Sequence, residues 1–454
     1  MTKVLKMGKV TNFPKDTGVN PWFETAVNKD RTYTDLRELQ DSYDYVIVGA
    51  GFGGVMAAYE LSKNDPKARI AIFDALKVGT FSSGRNAGFL HISQVSASLV
   101  GFDKFTLEDQ KELCKLNGIV IRRIDEIVKA KAPEIDFRWD GMYHAVREAR
   151  NVKALNALAS EFDRMGVKYE MFGHEEMTKR LGTDFYTQGL YTADCVLDNP
   201  AELIRALAGA LPENVSVFEH SVITEVKEGK TPSVILKGGR EIKASKIILT
   251  VNAFIKNFGF KGQEISDVSA IQSFGAMTRE LTDEEMKIFE GVQPWGITAT
   301  HPAGATVRYT ARRRVFVRTD IAYASEKRLN IPEQRFEQAK PLLRNAFVKR
   351  FPTLKDVPFE YTYGGLIAFT GNTNPLFGQI AENVYAGTTS DGSGVSRASI
   401  LGTYLADLIQ GVDSPELDYI IKHYHPNYLP PEILRTPGAH AALWWKNVKA
   451  GSEL

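Results

Sequence analysis

Gly49, Gly51 and Gly54, followed by Asp74, have the residue types and spacing of a site that cradles a pyrophosphate. Gly49 lets the chain turn tightly, Gly51 lets backbone approach phosphate, and Gly54 lets a helix lie close to the preceding strand. Phe52 and Gly53 stand between them at the helix start, where free N–H groups and the positive dipole end attract an anion. Asp74 comes about twenty residues after Gly54, where an acid accepts a hydrogen bond from a ribose hydroxyl. The elements that must hold these residues are legible on either side. Tyr45-Val46-Ile47-Val48 is an apolar strand, Val55 to Leu61 a small-residue helix, and Ile70-Ala71-Ile72-Phe73 a second strand. A glycine-rich turn alone fits many α/β proteins. The strand before it, the helix after it and the acid in register point to a dinucleotide.

Composition narrows the class. The chain has 454 residues, 43% of them apolar and 24% charged, which fits a globular protein of two or three domains. A net charge of +1 gives no reason to expect nucleic acid or an anionic membrane as a partner. Cys114 and Cys195 are far apart and form neither metal nor redox spacing, so two free thiols and no metal are expected. The first ten residues lack the apolar core of a signal peptide. The longest apolar stretch, 45–59, is broken by four glycines and suits a strand–helix unit better than a membrane span. A cytoplasmic protein without a membrane span is expected.

Further along, helical periodicity covers 105–130 and 151–166, with strand signals at 137–139 and 142–146 between them. Asp198-Asn199-Pro200 opens a helix, 215–218 is a strand, and 222–250 alternates around Gly238-Gly239 before the buried strand 246–253. Residues 266–320 form a second β-rich region with a helix near 282–290. A hairpin pairs 306–310 with 314–319; its alternation places Thr306, Arg308, Phe316 and Arg318 on one face. Helices are expected over 333–351 and 396–410, strands over 361–366 and 384–388, and a Pro-rich tail over 413–454.

A nicotinamide dehydrogenase usually completes its cofactor domain within about 150 residues of the first glycine. Here the α/β pattern instead breaks off and returns near 198–254 and 384–410. Four motifs appear in order: Gly49 to Gly54 with Asp74; Ser83-Gly84-Arg85-Asn86-Ala87-Gly88; Leu249-Thr250-Val251-Asn252-Ala253; and Gly364-Gly365-Leu366, Pro375 to Gly378, then Asp391-Gly392-Ser393-Gly394-Val395-Ser396. Over about residues 20–440 the chain resembles the FAD-dependent D-amino-acid oxidase superfamily, which includes glycine and sarcosine oxidases. Within it the likeness is closest to the gamma-glutamylputrescine oxidase subgroup.

The resemblance implies an α/β fold: a Rossmann-like FAD-binding domain built from discontinuous segments, plus an antiparallel β-sheet substrate domain with helices. The implied division is an N-terminal arm 1–41, a cofactor domain of 42–104, 197–262 and 360–412, a substrate domain of 105–196 and 263–359, and a tail 413–454. The cofactor-binding set adds Val226, Asn252, Gly392, Ser393, Gly394 and Val395 to the two glycine motifs. Their chemistry would be oxidation of the C–N bond of an amine or amino acid, with hydride passing to flavin N5 and the imine then hydrolysing. Free N–H groups at 392–395 suit the charge that develops near flavin N1. Electrons would pass on to O2 or a redox carrier, and an oligomer is compatible with all of this.

Two positions depart from the family. Asp74 stands where the family more often has Glu, and either acid accepts from a ribose hydroxyl. Ile367 stands where the glycine oxidase pattern has a carboxylate-clamping arginine, and isoleucine cannot make that contact. Either the substrate has no α-carboxylate, or another arginine supplies the clamp; Arg308 and Arg318 are the candidates, with a solvated face as the alternative. His91 could bond flavin or substrate, assist amine deprotonation, or be structural. Tyr363 and Phe369 line the pocket or belong to the core. Arg312 to Arg314 at the hairpin turn are expected to be solvated. Two other functional classes fit the cofactor motif, a flavin monooxygenase and a non-catalytic flavin-binding subunit. The first lacks a second glycine fingerprint; the second would use the arm or Trp444-Trp445 for docking.

Overall fold

The computed structural model describes residues 7–95, 105–301, 303–388 and 392–454. Asp391, the start of the arm at 1–6 and the end of the first cofactor segment at 96–104 lie outside the described residues.

The apolar runs become parallel strands. Ser42–Val48 and Ile70–Phe73 pair in parallel, with Val48 opposite Phe73, and Ile70–Phe73 is buried throughout. Strands covered on both faces read as continuous apolar runs for this reason. The helix Phe52–Asn64 makes the crossover between them. Val215–Phe218 adds to one side, and Glu241–Leu249 followed by Val384–Thr388 to the other, all parallel. Three further antiparallel strands, Ser233–Leu236, Ile223–Lys227 and Met7–Lys9, continue the sheet, and Leu376–Ala381 pairs with Val384–Thr388. This is a Rossmann-like α/β layer. The helix Gly394–Gln410 packs on Phe52–Asn64 with almost no gap, because a Cβ at Gly402 would overlap the Gly53 carbonyl.

The second sheet has eight strands, running from Phe359–Phe369 through Ser269–Thr278, Val315–Ala324, Thr306–Tyr309, Trp295–Ala299, Met142–Val146 and Gln188–Thr192 to Glu170–Gly173. A small sheet of Phe89–His91, Cys195–Asp198 and Phe137–Arg138 completes the set. The hairpin pairs in the register its alternation requires: Thr306 opposite Arg318 and Arg308 opposite Phe316.

Several expectations need correction. Phe359–Phe369 pairs along Ser269–Thr278, so the start of the segment 360–412 belongs to the second sheet. The helix Leu107–Lys131 packs its apolar face, with Leu116, Val120 and Ile124, into the cluster around Phe52–Asn64 and Gly394–Gln410. Periodicity told which face is buried but not against which layer. Residues 285–289 form only a short 3-10 turn. The tail contains two helices, Pro415–His423 and Glu432–Ala450, the second with Pro437 inside it. Arg312 is not solvated: it donates to the buried carboxylate of Glu202 and to the Thr25 carbonyl, tying the arm to the body.

Candidate active site

The glycine turn opens onto a cleft. Gly49 has φ +104°, and a Cβ there would stand 2.6 Å from the Thr250 carbonyl oxygen. A Cβ on Gly54 would overlap the Gly49 carbonyl, so the helix can approach the turn only with glycine at that position. Gly51 caps the helix Phe52–Asn64 without a side-chain bond, leaving the first N–H groups free toward the cleft. The Asp74 carboxylate accepts from Ala50 N at 2.8 Å and Leu76 N at 2.9 Å, which fixes it in the cleft wall. Burial pushes its pKa up, and these two N–H groups oppose that. The arm forms the opposite wall with Val10, Asn12, Phe13 and Pro14. It is held there by Val10 N to Thr224 O and Thr11 N to Asn257 O, both 2.9 Å, and by Asn330 Nδ2 to Phe13 O, also 2.9 Å.

A second cavity, about 240 Å³, shares Gly51, Ser82, Ser83, Thr250 and Asn252 with the cleft, so the two are continuous. Its walls include Phe52, Gly53, Arg85, Asn86 and Ala87 on one side, and Tyr363, Gly365 to Ile367, Gly392 and Gly394 on others. Ser273 Oγ and Thr388 Oγ1 are buried beside it with no partner among the described residues. The helix Gly394–Gln410 begins here; its first bond is Arg397 N to Ser393 O, 3.0 Å, which leaves the N–H groups of 394–396 without a partner inside the helix.

A third cavity, about 590 Å³, meets the second at Asn86, Ala87, Arg318, Ile367, Gly392 and Gly394. Met142, Leu158, Ile271 and Ile321 make it largely apolar, and His91, His144 and Arg318 supply polar points. His91 Nε2 lies 3.2 Å from both Asp194 Oδ1 and Thr192 Oγ1. Burial pushes the Asp194 carboxyl up, but bonds from His91 and Ser93 and the His91 charge outweigh it and hold it at about 2. Burial, reinforced by His91, pulls His144 down to about 3, so that imidazole is neutral. Arg318 Nη2 donates to Thr306 Oγ1 at 2.7 Å. Among the described residues no carboxylate pairs with it, and burial pulls the guanidinium down to about 10.

Residues 44–408 match the family of FAD dependent oxidoreductases abbreviated DAO. The chain belongs to that family. A probable oxidoreductase, OrdL, from Haemophilus influenzae is 23% identical over 415 residues, covering 88% of this chain and 90% of its own. Glycine oxidase from Geobacillus kaustophilus superposes with a TM-score of 0.68 at 15% identity, over 83% of this chain and 96% of its own. L-Amino acid deaminase from Proteus myxofaciens gives 0.65 at 13% identity, over 90% and 96%.

The DAO-family cofactor, FAD, fits what the chain offers. A dinucleotide half needs a glycine turn, a helix N-terminus and a ribose acceptor, and the cleft has all three. The ring half needs backbone donors and polar partners in an adjoining cavity, and the helix start at Gly394 and the Ser273 and Thr388 hydroxyls, without partners among the described residues, are there. The cavities join at Gly51 and Ser83, where a pyrophosphate would bridge them.

The DAO-family chain brings most of the sequence-derived residues together, with exceptions. Ser83, Asn86, Ala87 and Asn252 line the second cavity; Gly392, Ser393, Gly394 and Val395 all line the third. Gly84 and Gly88 do not form wall. A Cβ on Gly84 would overlap the Gly79 carbonyl and one on Gly88 the Arg308 guanidinium, so both serve packing. Arg85 reaches the wall, but its guanidinium is spent on Thr80 O, Thr17 O, Gly364 O, Gly18 O and Asp16, binding arm to strand. Val226 is a core residue; Ser221 to Ile223 line the cleft instead, because Ser221 N donates to Asp74 O at 2.7 Å. Arg308 is also displaced from its expected role. It is fully buried, donates to Ala87 O, Gly88 O and Asp198 O at 3.0, 3.0 and 2.6 Å, and lies between the Trp22 and Phe89 rings. It braces the segment beside the ring cavity from behind. Tyr363 lines that cavity, yet its hydroxyl accepts from Trp22 Nε1 at 2.9 Å, and Phe369 is core. The arm residues 10–14, Asp194 and Thr388 were not foreseen. Only Thr250 had a signal, its place in the motif ending at Ala253.

Proposed function

We propose that this FAD-dependent oxidoreductase oxidises the C–N bond of an amine that also carries a carboxylate or another anionic group. The observation that carries the reading is Arg318, a part-buried cation without an anionic partner among the described residues, standing where the ring cavity opens into the larger one. A buried charge is costly unless paired, so the partner is expected from the ligand. Arg318 also answers the loss of arginine at Ile367, which lines the same junction. The substrate's remaining body would lie against Ile271, Ile321, Leu158 and Met142.

The flavin, when bound, supplies the acceptor for the hydride leaving the substrate carbon. The free N–H groups of 394–396 stabilise negative charge that arises at the cavity they face. An ammonium substrate must first lose a proton. His91 Nε2 faces Thr192 Oγ1 and the Asp194 carboxylate; with the proton on that nitrogen His91 would keep a lone pair on Nδ1, and it is the base we assign. Asp194, ionised at ordinary pH, would favour that tautomer.

An anaerobic panel of amines and amino acids, followed by bleaching of the flavin band, tests the reading. Anionic amines with an apolar body should bleach the flavin, and their neutral analogues should do so far more slowly. Bleaching by simple uncharged amines alone would overturn it.

A further inference from the structure

We propose that the outward face of the helix Glu432–Ala450 rests on an anionic phospholipid surface. Along that face Ile433, Leu434, Trp444, Trp445 and Val448 are 81%, 65%, 64%, 52% and 51% exposed. Pro437 and Ala441 are exposed between them, so the spacing of three and four residues makes one apolar stripe. The stripe is fixed outward. On the opposite face Ala439 and Leu443 pack against Ile271, Ile321, Tyr323 and Phe369. Arg435 Nη2 donates to Ser266 O at 3.1 Å, and Tyr323 OH to Glu432 Oε2 at 3.1 Å. Beyond the helix, buried Glu453 accepts from Arg147 N at 2.8 Å and Glu148 N at 3.1 Å.

Charge selects the occupant. Arg435 is turned inward beside Glu432, the single acid of the helix, and the remaining charged residues are Lys446 and Lys449. Lys449 Nζ sits 5.0 Å from the Trp445 ring centre. Lys446, Arg150 and Lys449 are close enough to His301 to add to the effect of burial in lowering its pKa, with Glu453 opposing. Glu148 answers Arg150, and Glu453 is buried. Indole rings interleaved with lysines suit the headgroup region, where rings sit at the apolar boundary and ammonium heads meet phosphate. A protein–protein core, by contrast, is depleted in lysine. No described helix is long and apolar enough to cross a membrane, so contact would be at the surface. Ile271, Ile321 and Ile367 lie under this helix and also line the third cavity, which puts the lipid surface beside that cavity.

The test is co-sedimentation of the flavin-loaded full chain with vesicles of phosphatidylcholine alone or mixed with phosphatidylglycerol. Binding is expected only to the mixed vesicles, and it should weaken with salt. Trp444→Ser with Trp445→Ser should lower vesicle affinity at least about tenfold. Lys449→Glu should reduce the preference for phosphatidylglycerol. Both variants should keep the flavin band and melting temperature, and no substrate is needed, so the outcome is independent of the proposed reaction. Absence of binding to mixed vesicles, or equal binding by the double tryptophan variant, would overturn the proposal. So would a dimer in solution that the double variant dissociates, because the stripe would then belong to a second copy of the chain.

Discussion

Arg318→Met removes a charge and keeps a side chain of similar length, so it isolates what the guanidinium does. Burial brings the group down to about 10. That corresponds to about 3 kcal/mol against the charged form, and to about half as much once access of water to the cavity is allowed for. A substrate carboxylate would restore this and form charge-assisted bonds of about 1.5–3 kcal/mol each. With two bonds, less the cost of desolvating the carboxylate, about 2–4 kcal/mol remains, or about 30- to 1,000-fold in binding. The assay is anaerobic flavin reduction by the best anionic amine and by its carboxamide. For the acid, kcat/KM should fall within that range; for the amide, less than about threefold. The melting temperature should stay level or rise, because the cation removed has no anionic partner among the described residues. An equal loss for acid and amide, or a clear fall in melting temperature, would refute the clamp and make Arg318 a structural residue.

Two other outcomes are expected. Gly51→Val should abolish flavin retention while leaving the circular dichroism unchanged, since a Cβ there stands 2.6 Å from Ser83 Oγ at the joint between the cavities; a normal flavin-to-protein absorbance ratio would refute the site. Burial pushes the Asp198 carboxyl up to about 7, Arg308 opposing and Asp136 and Glu202 adding. The folded chain therefore binds more protons than the unfolded one between about pH 4 and 7, and stability falls as pH rises through that window. Asp198→Asn should remove that slope, so the melting temperature of the variant relative to the parent should climb from pH 4 to 7; a pH-independent difference would count against it.

What was legible in the sequence was what neighbouring residues decide. The glycine turn, its helix and Asp74 are consecutive, so their types and spacing were enough. The hairpin register followed from strict alternation. Alternation gives a face, however, and not a depth along it. Arg308 and Arg318 share one face, yet one ends behind Gly88 and the other at a cavity mouth. Val226 failed for a related reason: a register shift between Ile223 and Glu225 breaks the alternation, and the bond from Ser221 to Asp74 selects the strand's start. The arm's position depends on contacts with residues hundreds of places away, such as Trp22 with Tyr363, which no local pattern encodes. Net charge is coarse in a similar way. A total of +1 averages over the chain and does not report that Trp444 and Trp445 stand beside Lys446 and Lys449.

The arm has a kinetic consequence. It walls the cleft at Val10 to Pro14, is clipped to Arg85 at Asp16 to Gly18, and is plugged into the ring cavity's neighbour Tyr363 by Trp22. A dinucleotide held in the cleft would leave past that wall only once these attachments opened. Escape on that side would then be a local unfolding event, with the steep temperature dependence of unfolding. Retention would be set by a barrier in the protein as well as by the strength of contacts along the glycine turn.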